Sequence, residues 1–335
     1  MLSPKIKQLL QVALSLGVAL WIFWFLYRDM EFDSLQTQLA SSNWIWIGAS
    51  LVVAWAGYWL RGWRWALLFP QEADQLPVSS NRAYHAVMVG YLVNLLIPRA
   101  GEVARCTVLT RNNGIPLGQA IGTVLVERSV DLLFMAGTFF LAFLLESQLF
   151  LSLAGELVDL SALTSGLLRQ LPLLLGGGAL FLLLLYFLGK KYRNHGFVNK
   201  LQLFFRQLLS GVLAIRTLKN PFGFWLSSVA IWIIYFLTMY TVSQGIGSAA
   251  NLSGSQVLLV MVMGTIGMIA PVQGGIGTFH ALVAYILVVF GVPEADGKIF
   301  AAIIHGTQML LVIGVGLISW VLMLKTSAWK KPLTS

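Results

Sequence analysis

The sequence predicts an all-α polytopic membrane protein, with about six full spans plus two broken re-entrant hairpins in an inverted repeat. Three observations carry this. Of 335 residues, 58% are hydrophobic and 10% charged, against roughly 45–50% and about 25% in soluble domains. The apolar residues come in blocks of about 20, the length that crosses a bilayer. Two of those blocks are interrupted at matching places by Pro-x-x-Gly. A soluble enzyme, a disulfide scaffold and a disordered chain are excluded. The single cysteine, Cys106, permits neither an intramolecular disulfide nor a Cys-rich metal cluster. The net charge of +9 reads as topology, with no nucleic acid implied.

The first span covers 9–27. Lys5 and Lys7 precede it as in a secretory signal, but Trp21, Trp24, Arg28 and Asp29 occupy the place of a small-residue cleavage site, so it reads as an uncleaved anchor. A second span covers 44–60. The stretch 83–110 is broken by Pro98-Arg-Ala-Gly101, and a span over 117–145 closes a first repeat over 1–150. Residues 151–220 hold an external stretch, a span over 172–189 and an amphipathic segment over 197–219, with Lys200, Arg206, Arg216 and Lys219 opposite its apolar face. That segment reads as an interfacial helix. The rest of the second repeat, 221–325, has a span over 222–243, a stretch over 255–290 broken between Pro271 and Gly277, and a span over 300–324; 326–335 is a tail. Proline removes a backbone donor and glycine weakens a helix, so each broken stretch becomes two half-helices. Broken backbone cannot face hydrocarbon and must be buried or line a polar cavity.

With the amino terminus inside and each broken stretch returning to its own side, sixteen Lys and Arg fall inside, Arg61 and Arg64 among them. Only Arg28, Arg169 and Lys298 fall outside. The bias puts both termini in the cytoplasm. It also makes the halves opposite in orientation. Pro98-Arg-Ala-Gly101 aligns with Pro271-Val-Gln-Gly274, and in the following spans Arg128 aligns with His305 and Asp131 with Gln308. Paired broken helices in inverted halves point to a transporter-type site near the midplane.

Six charged residues stand where charge is expensive. Arg99, Glu102 and Arg105 share one face of the second half-helix, and Glu127, Arg128 and Asp131 begin the next span. Each alone costs roughly 2.5–3.5 kcal/mol near the bilayer centre; together their signs sum to zero, so a self-neutralising cluster is expected. Two roles stay open. The pairs pin the broken helix to its neighbour, or an arginine is available to an anion beside half-helix N–H groups. Asn94 and Gln273 flank the breaks and suit freed backbone groups, with Gly274 and Gly275 beside them. His280 and His305 are candidates for a proton relay or for plain interhelical hydrogen bonds. No metal-ligand spacing, nucleotide loop or activated nucleophile is found, so no metal, cofactor or catalytic residue is expected.

Asn94-x-x-x-Pro98-x-x-Gly101-Glu102-x-x-Arg105, Glu127-Arg128-x-x-Asp131 and Pro271-x-x-Gly274-Gly275-Ile276-Gly277 together resemble the flippase-like transmembrane region of lysylphosphatidylglycerol synthases, which stand-alone bacterial membrane proteins share. The resemblance implies movement of a lipid across the bilayer. It does not carry aminoacyl transfer, because no stretch of the chain reads as the soluble synthase domain. Many relatives carry a glutamate where His280 stands, which puts carboxylate-dependent coupling there in doubt.

The expectation is therefore a flippase-like translocator of a phosphate-bearing lipid in the bacterial cytoplasmic membrane, not an enzyme. Arg99 and Arg105 would hold phosphate, oriented by Glu102, Glu127 and Asp131. Asn94, Gln273, Gly274 and Gly275 would complete the site, and Arg128, His280, His305 and Gln308 would support or couple it. The partner is a membrane phospholipid or lipid-linked headgroup. The alternative is an integral-membrane enzyme, or an accessory subunit of a lipid synthase or glycosyltransferase.

Overall fold

The computed structural model describes residues 4–29, 32–69, 78–97, 99–149, 206, 209, 211–270 and 272–325. Among them there are ten α-helices and no strand: α1 (Pro4–Tyr27), α2 (Phe32–Ser41), α3 (Trp44–Ala66), α4 (Ser80–Leu96), α5 (Gly101–Asn113), α6 (Leu117–Leu145), α7 (Pro221–Gly245), α8 (Gly254–Ile269), α9 (Thr278–Val289) and α10 (Glu294–Lys325). Four of their starts are capped by side chains of the flanking residue. Asn43, Ser79 and Asn220 accept from the first turns of α3, α4 and α7, and Ser253 with Gln256 forms a capping box on α8. Three helices, α6, α7 and α10, are long and apolar enough to cross a membrane.

Each Pro-x-x-Gly break folds its stretch back on itself. In the first, Gly90 of α4 lies against Gly101 and Arg105 of α5. In the second, the Thr278 hydroxyl of α9 donates to Gly267 O of α8 at 2.7 Å. The helices that precede the two hairpins, α3 and α7, run antiparallel. Asn43 N donates to Gly245 O at 2.8 Å, while Arg64 reaches Ser228 at 3.2 Å from the opposite end. The packing is reciprocal. α4 of the first half lies on α10 of the second, and α8 lies on α6; α3 packs on α4 as α7 packs on α8. Exchanging the halves maps this set of packed pairs onto itself. Among the described residues three apolar clusters follow, one around Trp65, Leu109 and Val130, one around Val260, Val283 and Phe300, and a smaller one of Tyr84, Met88 and Val312 where α4 meets α10.

The structure departs from the sequence reading in places. Helix α3 runs on past residue 60 to Ala66, so Arg61 and Arg64 lie inside it, 6% and 0% exposed, and not in a cytoplasmic loop. A hydropathy window stops at an arginine; a helix does not, because arginine is a good helix former. Residues 32–41, which lie between the expected spans over 9–27 and 44–60, form α2. Glu294 and Asp296, ahead of the expected start of the last span at 300, open α10, where Glu294 pairs with Lys298 at 2.7 Å. The span over 172–189, the external stretch, the tail, most of the segment over 197–219, and Pro98 and Pro271 themselves lie outside the described residues. The described end of that segment packs inward, with Gly211 against Ser129 and Ile215 1% exposed.

Candidate functional site

Glu127 of α6 is fully buried and holds the site together. Arg61 Nη2 donates to one carboxylate oxygen at 2.9 Å and Arg105 Nη1 to the other at 3.0 Å. Arg64 and Arg128 approach the first oxygen at 3.3 Å each. One turn along the same face, Asp131 takes Arg64 at 2.7 Å, Arg61 at 3.1 Å and Arg128 at 3.3 Å. Spacings of three (Arg61, Arg64) and four (Glu127, Asp131) put each pair on one helix face, so α3 presents two cations to two carboxylates of α6. Arg61 also donates to the Tyr235 hydroxyl of α7. Arg105 lies over the Trp65 ring at 4.5 Å, and Arg64 over Phe224 at 5.7 Å. At the outer edge Arg128 meets Glu102 at 2.8 Å, both about two-fifths exposed.

The expected neutral sum is not what forms. Arg99 is exposed and stands apart, while Arg61 and Arg64 join. Three buried cations (Arg61, Arg64 and Arg105) face the buried Glu127 and the partly buried Asp131, and the rim pair Arg128–Glu102 cancels. Among the described residues one positive charge is left over. Buried charge is tolerable only when paired and hydrogen-bonded, and the pairing here is incomplete. Arg105 Nη2 is buried with no hydrogen-bond partner among the described residues.

That arginine lines a cavity of about 120 Å³, together with Arg61, Tyr91, Asn94, Gly101, Glu102 and Arg128. The cavity thus lies among α3, both arms of the first hairpin, and α6. Asn94 spans the hairpin's break: its Oδ1 accepts from Gly101 N at 2.7 Å and so closes the first turn of α5. The arrangement offers guanidinium donors, an asparagine amide and a helix N-terminus to an anion.

The expected site residues divide into three groups. Arg105, Glu102 and Asn94 meet at the cavity with Arg128, and Glu127 and Asp131 lie behind them. Arg99, Gln273, Gly274 and Gly275 lie instead where the hairpin tips touch. Gln273 Nε2 donates to Leu95 O and Leu96 O, Arg99 Nη2 reaches Ile269 O at 3.4 Å, and Gly274 lies near Leu95. His280 and His305 form a separate buried group. Their rings are 4.8 Å apart and pack with Phe23, Tyr27 and Phe279, and His280 Nδ1 accepts from Gly277 N at 3.3 Å. Gln308 follows His305 on α10, half-buried. The His280–His305 contact joins α9 to α10 as the Glu102–Arg128 pair joins α5 to α6.

Sequence reasoning missed Arg61, Arg64, Tyr91 and Tyr235. The available signal was Arg61-x-x-Arg64 directly after an apolar run, at a spacing that shares one helix face. The positive-inside count absorbed it.

Among known proteins, the chain is similar to a "UPF0104 membrane protein" of Methanothermobacter thermautotrophicus, 23% identical over 279 residues that cover 75% of each chain. No solved structure matches it. The family described as "Lysylphosphatidylglycerol synthase TM region" matches residues 10–316, nearly the whole cavity-bearing fold. The chain therefore belongs to that family, as a multi-pass membrane protein.

Proposed function

We propose that the protein translocates a phosphate-bearing lipid across the cytoplasmic membrane. The observation that carries this reading is Arg105: a buried guanidinium with one amine unpartnered among the described residues, on the wall of a cavity formed at a broken helix. The headgroup phosphate takes that amine and the α5 N-terminus, while the acyl or prenyl tails stay in lipid. The antiparallel α3–α7 pair supports alternating access, in which the inverted halves rock about the cavity. The positive-inside bias supports cytoplasmic termini, though it loses Arg61 and Arg64 from its count.

The test is reconstitution of the full chain in liposomes, following exchange of fluorescent phospholipids between leaflets by quenching from outside. Exchange above that of empty vesicles, lost in Arg105→Gln, supports the reading. A folded wild type that moves no phospholipid sinks it and favours an accessory role beside a lipid-modifying enzyme.

A further inference from the structure

We infer that the site selects a phosphate carrying one negative charge, the phosphodiester state, and that Glu102 sets this preference from the mouth of the cavity. The inference rests on the translocator reading for its substrate but on the charge count for its content. The inner part of the cluster, Arg61, Arg64 and Arg105 against Glu127 and Asp131, carries a surplus of one positive charge among the described residues. A ligand with a single negative charge neutralises it. A phosphomonoester with two would leave an uncompensated negative charge beside the apolar wall of Val87 and Gly90, where charge is poorly solvated. That second charge would also approach the Glu102 carboxylate, which lines the same cavity, is 44% exposed and holds Arg128 at 2.8 Å, so the rim supplies no spare positive charge for it. A neutral ligand would leave the surplus in place.

The experiment uses the full chain in liposomes with fluorescent phosphatidylglycerol, a diester, and phosphatidic acid, a monoester whose second proton leaves near pH 6. At about pH 8 the diester is expected to exchange roughly tenfold faster or more, since like charges at this range repel by several RT in a protein environment. The gap should narrow near pH 5.5, where phosphatidic acid is mostly a monoanion. Glu102→Gln should also narrow it at the higher pH. Equal rates at the higher pH, or a ratio unchanged in Glu102→Gln, overturns the inference.

If neither lipid moves, the translocator reading fails, and the charge preference is read from melting of the detergent-solubilised protein. The soluble headgroups glycerophosphoglycerol and glycerol 3-phosphate serve as probes, and the diester should raise the melting temperature more. Equal shifts overturn the preference. Uptake of the soluble diester into sealed vesicles as fast as lipid exchange assigns the site to soluble phosphates and sinks the lipid reading, leaving the charge preference standing.

Discussion

Gln273, at the tip of the second hairpin, closes the C-terminal end of α4 in the first: its amide nitrogen lies 2.9 Å from Leu95 O and 2.6 Å from Leu96 O. The last carbonyls of a helix have no partner of their own, so one side chain here supplies what the break removed. Arg99 returns the contact more weakly, reaching Ile269 O at the end of α8 at 3.4 Å while holding a left-handed φ of 63°. Each hairpin therefore helps to terminate the other.

Gln273→Glu tests the cap, because the side chain keeps its shape and loses both donors. Two carbonyls would then face a carboxylate. A loss of about 1–3 kcal/mol is expected, read as a lower melting temperature in detergent. Were Gln273 held for substrate instead, Gln273→Leu would lower exchange without moving the melting temperature.

Gly101 and Gly118 separate a packing glycine from a free one. A Cβ on Gly101 would strike Gly90 O, and would come within 2.6 Å of the Asn94 amide. Gly101→Ala should therefore splay α4 from α5, open the cavity wall and reduce folded yield sharply. Gly118, in the first turn of α6, has open space around it. Gly118→Ala should leave yield intact and gain up to about 1 kcal/mol from the unfolded chain's lost freedom. Equal behaviour of the two would contradict the packing described.

Orientation is checked with thiols against a quiet background, since native Cys106 is fully buried. Glu294→Cys, at the exposed start of α10, should react with an impermeant reagent in intact cells. Lys219→Cys, before α7, should react only after permeabilisation. Labelling of the second site in intact cells would invert the proposed topology.

Much of the fold was legible because apolar blocks of bilayer length and Pro-x-x-Gly breaks are local signals: 117–145 is α6 to the residue. The site was legible only in part. Glu127 and Asp131 stood out as charges inside an apolar run, whereas Arg61 and Arg64 sat at a span's end, where topology alone accounts for arginine. Which half-helix end a tip residue serves depends on the far half of the chain. Arg99 and Gln273 each bond a carbonyl some 170 or more positions away, and no spacing within one motif encodes that.

The decisive comparison is Arg105→Gln with Glu127→Gln, because the charge count assigns them opposite consequences. Removing the Glu127 charge leaves three buried cations to Asp131 alone, so the surplus doubles. Arg105 would then lose the carboxylate that holds its Nη1 at 3.0 Å. Breaking a buried pair in this way costs on the order of 3–5 kcal/mol, and folded protein recovered by gel filtration should fall severely. Removing Arg105 does the reverse: Arg61 and Arg64 then match Glu127 and Asp131 in charge. A glutamine at the position retains a donor within the cluster, so the loss reduces to one charge-assisted hydrogen bond, about 1.5–3 kcal/mol, and the contact with the Trp65 ring. Arg105→Gln should therefore yield folded protein that has lost lipid exchange. If both variants fold equally well, the surplus charge is not real. If Arg105→Gln folds and exchanges lipid like wild type, the unpartnered amine binds nothing, and the cluster serves only to pin α3 and α5 to α6.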